Sequence, residues 1–358
     1  MIRVFVVDDS TFARRSIARV LGADPGITVV GEAASGTEAL VRVPAANPDI
    51  VTLDLAMPGM DGLATLRGLL ARDPALRVLM LSMHTREGAE ATLEALAAGA
   101  VDFVDKSRFG MMEFDGLGRE LRERIKALAT VRWGDGLVGA ANGATGSPRR
   151  PGESVTGPSV RPQVDLCVLG ASTGGPAAIQ YVLEALPATF PLPLAIVQHM
   201  PPGFTGPFAR RLDQRCRLRV REAEDGDRLE PGRVLIAPAG LHLRVNGNLA
   251  VTLSSEPAQA RHVPSVDVLK LSAARARPGR VLGVLLTGMG DDGADGMATI
   301  HAQGGITLAE SEASCVVYGM PRAAWERGAV TRLLPLPALA EWLAGLTAAS
   351  PAGAQARP

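Results

Sequence analysis

Apolar and polar positions alternate between two periods along the first third of the chain. Short apolar runs at 2–7, 27–32, 49–54, 77–82 and 101–104 have the length and β-branched content of buried strands. Between and after them, near 10–22, 36–46, 61–72, 88–98 and 115–129, apolar residues recur at the helical period. Five such alternations predict a doubly wound α/β unit, a five-stranded parallel sheet with right-handed crossovers. The pattern then lapses. Gly134 to Gln163 is crowded with Gly, Pro, Ser and other small residues and has neither period, so it cannot bury enough surface to offset its ordering entropy. It restarts at Val164-Asp165-Leu166-Cys167-Val168-Leu169 with a strand, a glycine-rich turn and a helical Ala177 to Leu186 run. The expected organisation is a first domain at 1–129, a flexible linker at 130–163, a second domain at 164–347 and a tail at 348–358.

The first domain places charged residues at the ends of its strands. Asp8 and Asp9 close the first run, Asp54 ends the third, and Lys106 follows the fifth. In a parallel sheet these groups converge on the carboxyl edge, where open α/β sheets bind ligands. Three carboxylates in one crevice repel one another unless a divalent cation holds them, and a neighbouring lysine suits a phosphoryl group.

Composition narrows the function classes. Lysine plus arginine balances aspartate plus glutamate at 37 each, which removes the bulk electrostatics of a nucleic-acid binder. Cys167, Cys216 and Cys315 are scattered and odd in number, so a disulfide framework is not expected. The start of the chain lacks the pattern of a signal peptide, and no apolar run approaches the roughly 20 residues of a membrane span. The expectation is a soluble cytoplasmic protein with no nucleic-acid partner and no direct membrane insertion.

The second domain carries candidate catalytic groups at three further strand ends. Gly170-Ala171-Ser172-Thr173-Gly174 has the form G-x-S-x-G, which sets a hydroxyl on a sharp strand-to-helix bend with helix N–H groups nearby. Such turns also bind phosphate, and this pattern alone does not choose. It lacks the ending of a P-loop. His199 follows the apolar Leu194 to Gln198 run and shares the edge with Ser172, as a base would. The other histidines of this half are placed differently. His242 falls in an arm of a hairpin predicted from Leu241 to Val245 and Leu249 to Leu253, in a packed or solvent-facing position. His301 is expected on an exposed helix face, and His262, in a loop, is a possible substrate contact. The run from Val281 to Leu286 leads into Thr287-Gly288-Met289-Gly290-Asp291-Asp292-Gly293-Ala294-Asp295. That turn could supply an orienting acid or form a metal loop, although its spacing is not that of an EF-hand. The order Ser, His, Asp also differs from that of α/β-hydrolases.

Residues 1–129 closely resemble the receiver domain of two-component response regulators, on Asp8-Asp9, Leu53 to Gly62, the strand ending at Ser82, and Lys106. The resemblance implies a flavodoxin-like sheet with Asp54 as phosphoacceptor. It implies Mg²⁺ held by Asp8, Asp9, Asp54 and the Ala56 carbonyl, Ser82 following the phosphoryl group, and Phe103 at the aromatic switch position. Ser107 stands where receivers usually carry proline after a cis bond, a geometry costing about 3 kcal/mol more than trans for a non-proline residue, so that loop is expected to be trans or strained. Residues 164–347 resemble the catalytic domain of chemotaxis-receptor methylesterases, on GASTGG, QHMPPGF, HVPSVD, TGMGDDGADGM and EASCVVYGMP. That resemblance implies a doubly wound, mostly parallel α/β domain with a β-hairpin. Its expected roles are Ser172 as nucleophile, His199 as base and Asp292 as acid, with an oxyanion environment at the backbone of Thr173 and Met289. It implies a hydrolase of glutamyl methyl esters that also deamidates glutamines, with no cofactor for the ester step. Methyl-accepting chemotaxis receptors would be its substrates and a chemotaxis histidine kinase its phosphodonor. The unphosphorylated receiver would block the catalytic edge. Two other readings of the residues are a regulator with a non-catalytic binding module and an esterase of another substrate.

Overall fold

A computed structural model describes residues 1–83, 85–106, 114–129, 164–258 and 260–346. The chain divides into two compact units. Ser107, the predicted linker at 130–163 and the tail at 348–358 lie outside the described residues.

The first unit alternates β1 (Ile2–Val7), α1 (Thr11–Gly22), β2 (Ile27–Ala33), α2 (Gly36–Ala46), β3 (Ile50–Asp54), α3 (Gly62–Arg72), β4 (Arg77–Ser82), α4 (Arg86–Ala97), β5 (Asp102–Asp105) and α5 (Phe114–Ala129). The strands form one sheet in the order β2-β1-β3-β4-β5, all parallel. Strand order reverses beside β1, so a crevice opens at the carboxyl ends of β1 and β3. Ser10, Ser35, Asp61 and Thr85 each cap the next helix by accepting a first-turn N–H. Each cap satisfies an otherwise orphaned donor, worth about 1 kcal/mol, and ends the loop sharply at the same edge. Phe5, Ile17, Leu21, Leu53, Leu66 and Leu79 are fully buried between sheet and helices, the sheet being covered as a parallel sheet must be.

The second unit has a seven-stranded sheet, in the order β14-β13-β12-β6-β7-β9-β8. Its strands are β6 (Leu166–Ala171), β7 (Leu194–Gln198), β8 (Arg219–Glu222), β9 (Arg233–Ile236), β12 (Val281–Leu285), β13 (Ile306–Glu310) and β14 (Arg332–Leu334). A mostly parallel sheet was expected, and every neighbouring pair in it is parallel. Among the described residues, antiparallel pairing is found in an isolated bridge between Arg228 and Ala250 and in a separate hairpin, β10 (His242–Val245) with β11 (Val251–Ser254). Its second arm starts two residues later than the alternation suggests, because Leu249 takes a left-handed φ of 57° in the turn. The helices that matter for the site are α6 (Gly175–Ala185), α8 (Val266–Ala276) and α9 (Ala294–Ala302). Leu166, Val168, Val197, Leu235, Leu269, Leu285 and Met297 join the sheet to α8, α9 and the hairpin in one apolar core. Burial of each large side chain contributes about 1.5–3 kcal/mol.

Candidate functional sites at two sheet edges

In the first unit the predicted groups converge. Asp8, Asp9 and Asp54 each offer a carboxylate oxygen within 4.8 Å of the others. Asp8 and Asp54 are buried, whereas Asp9 is exposed. The Lys106 ammonium lies 2.5 Å from Asp54 Oδ2 and 3.3 Å from Asp8 Oδ2. Burial raises the Asp54 carboxyl above its ordinary value, only partly offset by Lys106, and the charge of Asp8 raises it further. A tight set of hard oxygen donors beside one cation fits a small divalent ion such as Mg²⁺.

Ser82, at the end of β4, is fully buried, and its hydroxyl is engaged by α4: it accepts from Thr92 Oγ1 at 2.7 Å and donates to Gly88 O at 3.3 Å. Thr92 was not singled out from sequence, since a threonine on an amphipathic helix carries no signal of its own. Phe103 is buried in β5, and its carbonyl accepts from Arg124.

In the second unit, register brings Ser172 and His199 together. Ala171 pairs with Gln198 as the last rung between β6 and β7, so Ser172 and His199 are the next residue on each strand. His199 N–H donates to Ala171 O at 3.1 Å, and Gln198 Nε2 donates both to Ser172 O at 2.8 Å and to His199 O at 3.0 Å. Gln198 thus ties the two turns together. Its only sequence signal is a polar residue ending an apolar strand. On the other side, Ser172 N–H donates to Thr287 O at 3.0 Å, and Thr287 Oγ1 donates to Thr173 O at 2.9 Å. The serine turn and the Thr287–Met289 turn are therefore crosslinked. Glycine is required twice here. Gly174 has φ +77°, and a Cβ on it would lie 2.4 Å from Val316. A Cβ on Gly288 would lie 2.3 Å from Met320 Sδ and 2.9 Å from Ser172 Cβ.

Asp292 reaches His199 from the loop before α9. Its Oδ2 lies 2.8 Å from His199 Nε2, with only about a tenth of either side chain exposed (10% and 11%). The carboxylate also accepts from Ser265 Oγ at 2.8 Å, Val266 N at 2.7 Å and Asp267 N at 3.0 Å. Ser265 is the N-cap of α8, so Asp292 occupies the anion-binding end of a helix. Burial would raise its pKa, but the hydrogen bond and charge of His199, together with the Asp267 and Val266 N–H groups, hold it well below the usual carboxylate range. The arrangement is reciprocal, because Asp267 in the first turn of α8 accepts from Gly296 N in the first turn of α9 at 2.7 Å. Beneath them the fully buried Lys270 donates to Val284 O at 2.8 Å.

The remaining candidates separate cleanly. Asp291 and Asp295 are exposed and both pair with Arg327, so the three aspartates of that loop do not converge as a metal site would require. His242 is packed, with no exposed surface, and its Nδ1 accepts from Ser265 N at 3.1 Å. His301 is exposed. His262 is stacked on His199.

An ionised carboxylate can only accept, so His199 Nε2 carries the proton toward Asp292 and the neutral ring keeps its lone pair on Nδ1. Nδ1 is buried and has no hydrogen-bond partner among the described residues. A buried basic nitrogen one strand over from a serine on a tight turn is the kind of group that can take a proton from a hydroxyl.

Fold and site together define a class: a receiver-like unit with an acidic crevice, followed by an α/β domain with serine, histidine and aspartate at its sheet edge. The response regulator receiver domain model matches residues 4–111, and the CheB methylesterase model matches residues 167–343. The protein-glutamate methylesterase/protein-glutamine glutaminase 1 of Oleidesulfovibrio alaskensis is 42% identical over 95% of this chain and 98% of its own. The protein-glutamate methylesterase/protein-glutamine glutaminase of Symbiobacterium thermophilum is 44% identical over 95% of each chain. The crystal structure of the Thermotoga maritima CheB methylesterase catalytic domain is 40% identical and covers 51% of this chain and 99% of that one, with a TM-score of 0.50. The chain belongs to the CheB methylesterase family.

Proposed function

We propose that the chain is a protein-glutamate methylesterase and protein-glutamine glutaminase, with Ser172, His199 and Asp292 as its catalytic triad and Asp54 as its phosphorylation site. The observation that carries the reading is the His199–Asp292 contact, with Asp292 held by three further donors, one strand over from Ser172. Ser172 Oγ attacks the γ-carbonyl carbon of a glutamyl methyl ester while His199 Nδ1 takes the hydroxyl proton. Asp292 holds the ring through Nε2–H and stabilises the imidazolium. Because Ser172 N–H is committed to Thr287 O, the oxyanion falls to the neighbouring backbone, for which the Thr173 and Met289 N–H groups are the candidates. Collapse of the tetrahedral adduct breaks the C–O bond to methoxide, which leaves as methanol with the proton from Nδ1. Water, deprotonated by the same nitrogen, then hydrolyses the acyl-serine to glutamate. A glutamine side chain follows the same course and releases ammonia.

In the receiver, Asp8, Asp9, Asp54 and the Ala56 carbonyl would hold Mg²⁺, which when bound offsets the negative charge of carboxylates and phosphoryl group. Lys106 supplies the fixed cation beside Asp54. Phosphorylation would draw the Ser82 hydroxyl from Thr92 toward the phosphoryl oxygens and let Phe103 change place, a two-state shift biased by whatever free energy separates the two phosphorylated forms. The partners are methyl-accepting chemotaxis receptors as substrates and a chemotaxis histidine kinase as phosphodonor. No described helix is long and apolar enough to cross a membrane.

The test is methanol release from methylated chemoreceptor membranes with Mg²⁺, with and without acetyl phosphate, for the parent and Ser172→Ala. The expected result is stimulated release by the parent and none above background from the variant. Release that survives in Ser172→Ala would remove the serine from the chemistry.

A further inference from the structure

The described contacts that fix His199 Nε2 leave the plane of its ring undetermined. One hydrogen bond to Asp292 anchors one atom, and the histidine χ2 torsion is broad. Nδ1, without a partner of its own, adds no second anchor. The face of the ring is covered instead: the His262 imidazole lies on it with centroids 4.2 Å apart and planes inclined by 18°.

We propose that His262 is a positioning residue, a flat cover that holds the His199 ring in the plane where Nδ1 faces Ser172. The inference rests on Ser172 and His199 being nucleophile and base. The loop bearing His262 is built for this task. Ser265, three residues on, donates its hydroxyl to Asp292 Oδ1, and Val266 donates its N–H to Asp292 Oδ2. Ser265 N–H is itself held by the buried His242, and Val263 O accepts from Gly240 N at 3.2 Å. One short segment therefore fixes both the carboxylate that grips the edge of the His199 ring and the ring that covers its face. Displacement of the cover lets the imidazole turn without losing its bond to Asp292, and small misplacements of a catalytic base are costly. The role asks for a planar ring and not for a proton from His262.

The experiment compares His262→Ala, His262→Phe and His199→Ala in the full chain, with Mg²⁺, acetyl phosphate and methylated receptor membranes, recording kcat, KM and thermal midpoint. His262→Ala should lower kcat about tenfold with KM changed less than about twofold, and His262→Phe, which keeps a flat ring, should recover most of kcat. A rise in KM at unchanged kcat would make His262 a substrate contact and overturn the proposal. Equal loss in Ala and Phe variants of unchanged stability would show that the imidazole is needed chemically, which also overturns it. If the alanine variant does not fold, the phenylalanine variant still decides: a folded Phe variant without activity contradicts the cover. His199→Ala separates the two levels, since survival of its activity would refute the base and not merely the cover.

Discussion

Asp54 and Asp292 sit at the carboxyl edges of two parallel sheets, both withdrawn from water, yet their acidities move in opposite directions. Asp54 is raised by burial, with Lys106 as its principal relief and a distant N–H, Ala56 at 3.4 Å. Asp292 is lowered despite burial, because four donors aim at it: His199, and three at the N-terminus of α8, two of them backbone N–H groups. Burial is common to both, so what separates them is the number of fixed donors, together with the repelling charge of Asp8 beside Asp54. The difference suits two kinds of chemistry. In the proposed roles, a carboxylate that would accept a phosphoryl group and share a cation is left under-satisfied. One that would stay charged through every turnover, to hold an imidazole, is saturated.

The largest expected effect separates the two edges. Asp292→Asn should lower kcat for methanol release on the order of 10⁴-fold, since an amide no longer enforces the tautomer. Asp54→Asn should abolish only the increment produced by acetyl phosphate. Measuring both variants with and without phosphodonor breaks the comparison if the Asp54 variant loses unstimulated turnover as well, or if the Asp292 variant keeps it.

A smaller effect sharpens it. Glu310, at the end of β13, is fully buried, and burial pushes it up to about 7 against the opposing hydrogen bonds from Thr287 N and Ser314 Oγ. With only neutral donors, Thr287 N, Ser314 Oγ and the Cys315 thiol, it falls on the Asp54 side of the divide. Its folded value exceeds the ordinary 4.5, so the folded chain keeps a proton that the unfolded chain releases. Stability is therefore full below the unfolded value and declines as pH rises toward about 7. Glu310→Gln should remove this slope. Relative to the parent, its thermal midpoint should gain a few degrees between about pH 5 and pH 8. A constant difference across that range would mean that neutral donors suffice to hold the charge.

Much of this was legible because apolar runs end where the sheet edge begins. Asp8, Asp54 and Lys106 close such runs in the first sheet and Ser172 and His199 follow them in the second, so the convergence of each group on its own sheet edge follows from parallel strands alone. The choice of Asp292 over Asp291 rests in sequence on the motif alone; in the structure Asp292 contacts His199, whereas Asp291 pairs with Arg327 at the C-cap of α10 (Met320–Glu326). The contacts that shape the sites are legible least of all. Gln198, Thr287, Ser265 and Thr92 act through hydrogen bonds set by strand order and helix packing, and single polar residues carry no sign of their distant partners. The His262–His199 stack spans a loop whose path depends on the buried His242 and on α8, neither of which a local pattern predicts.

The central claim is that a saturated Asp292 fixes the proton of His199 on Nε2 and leaves Nδ1 as the base. Nitrogen-15 NMR of the full chain labelled at histidine, assigned with His199→Gln and read above the imidazole titration, tests it directly. The account predicts a protonated Nε2, its proton shifted downfield by the Asp292 carboxylate, and an unprotonated Nδ1. A proton found on Nδ1 would contradict it.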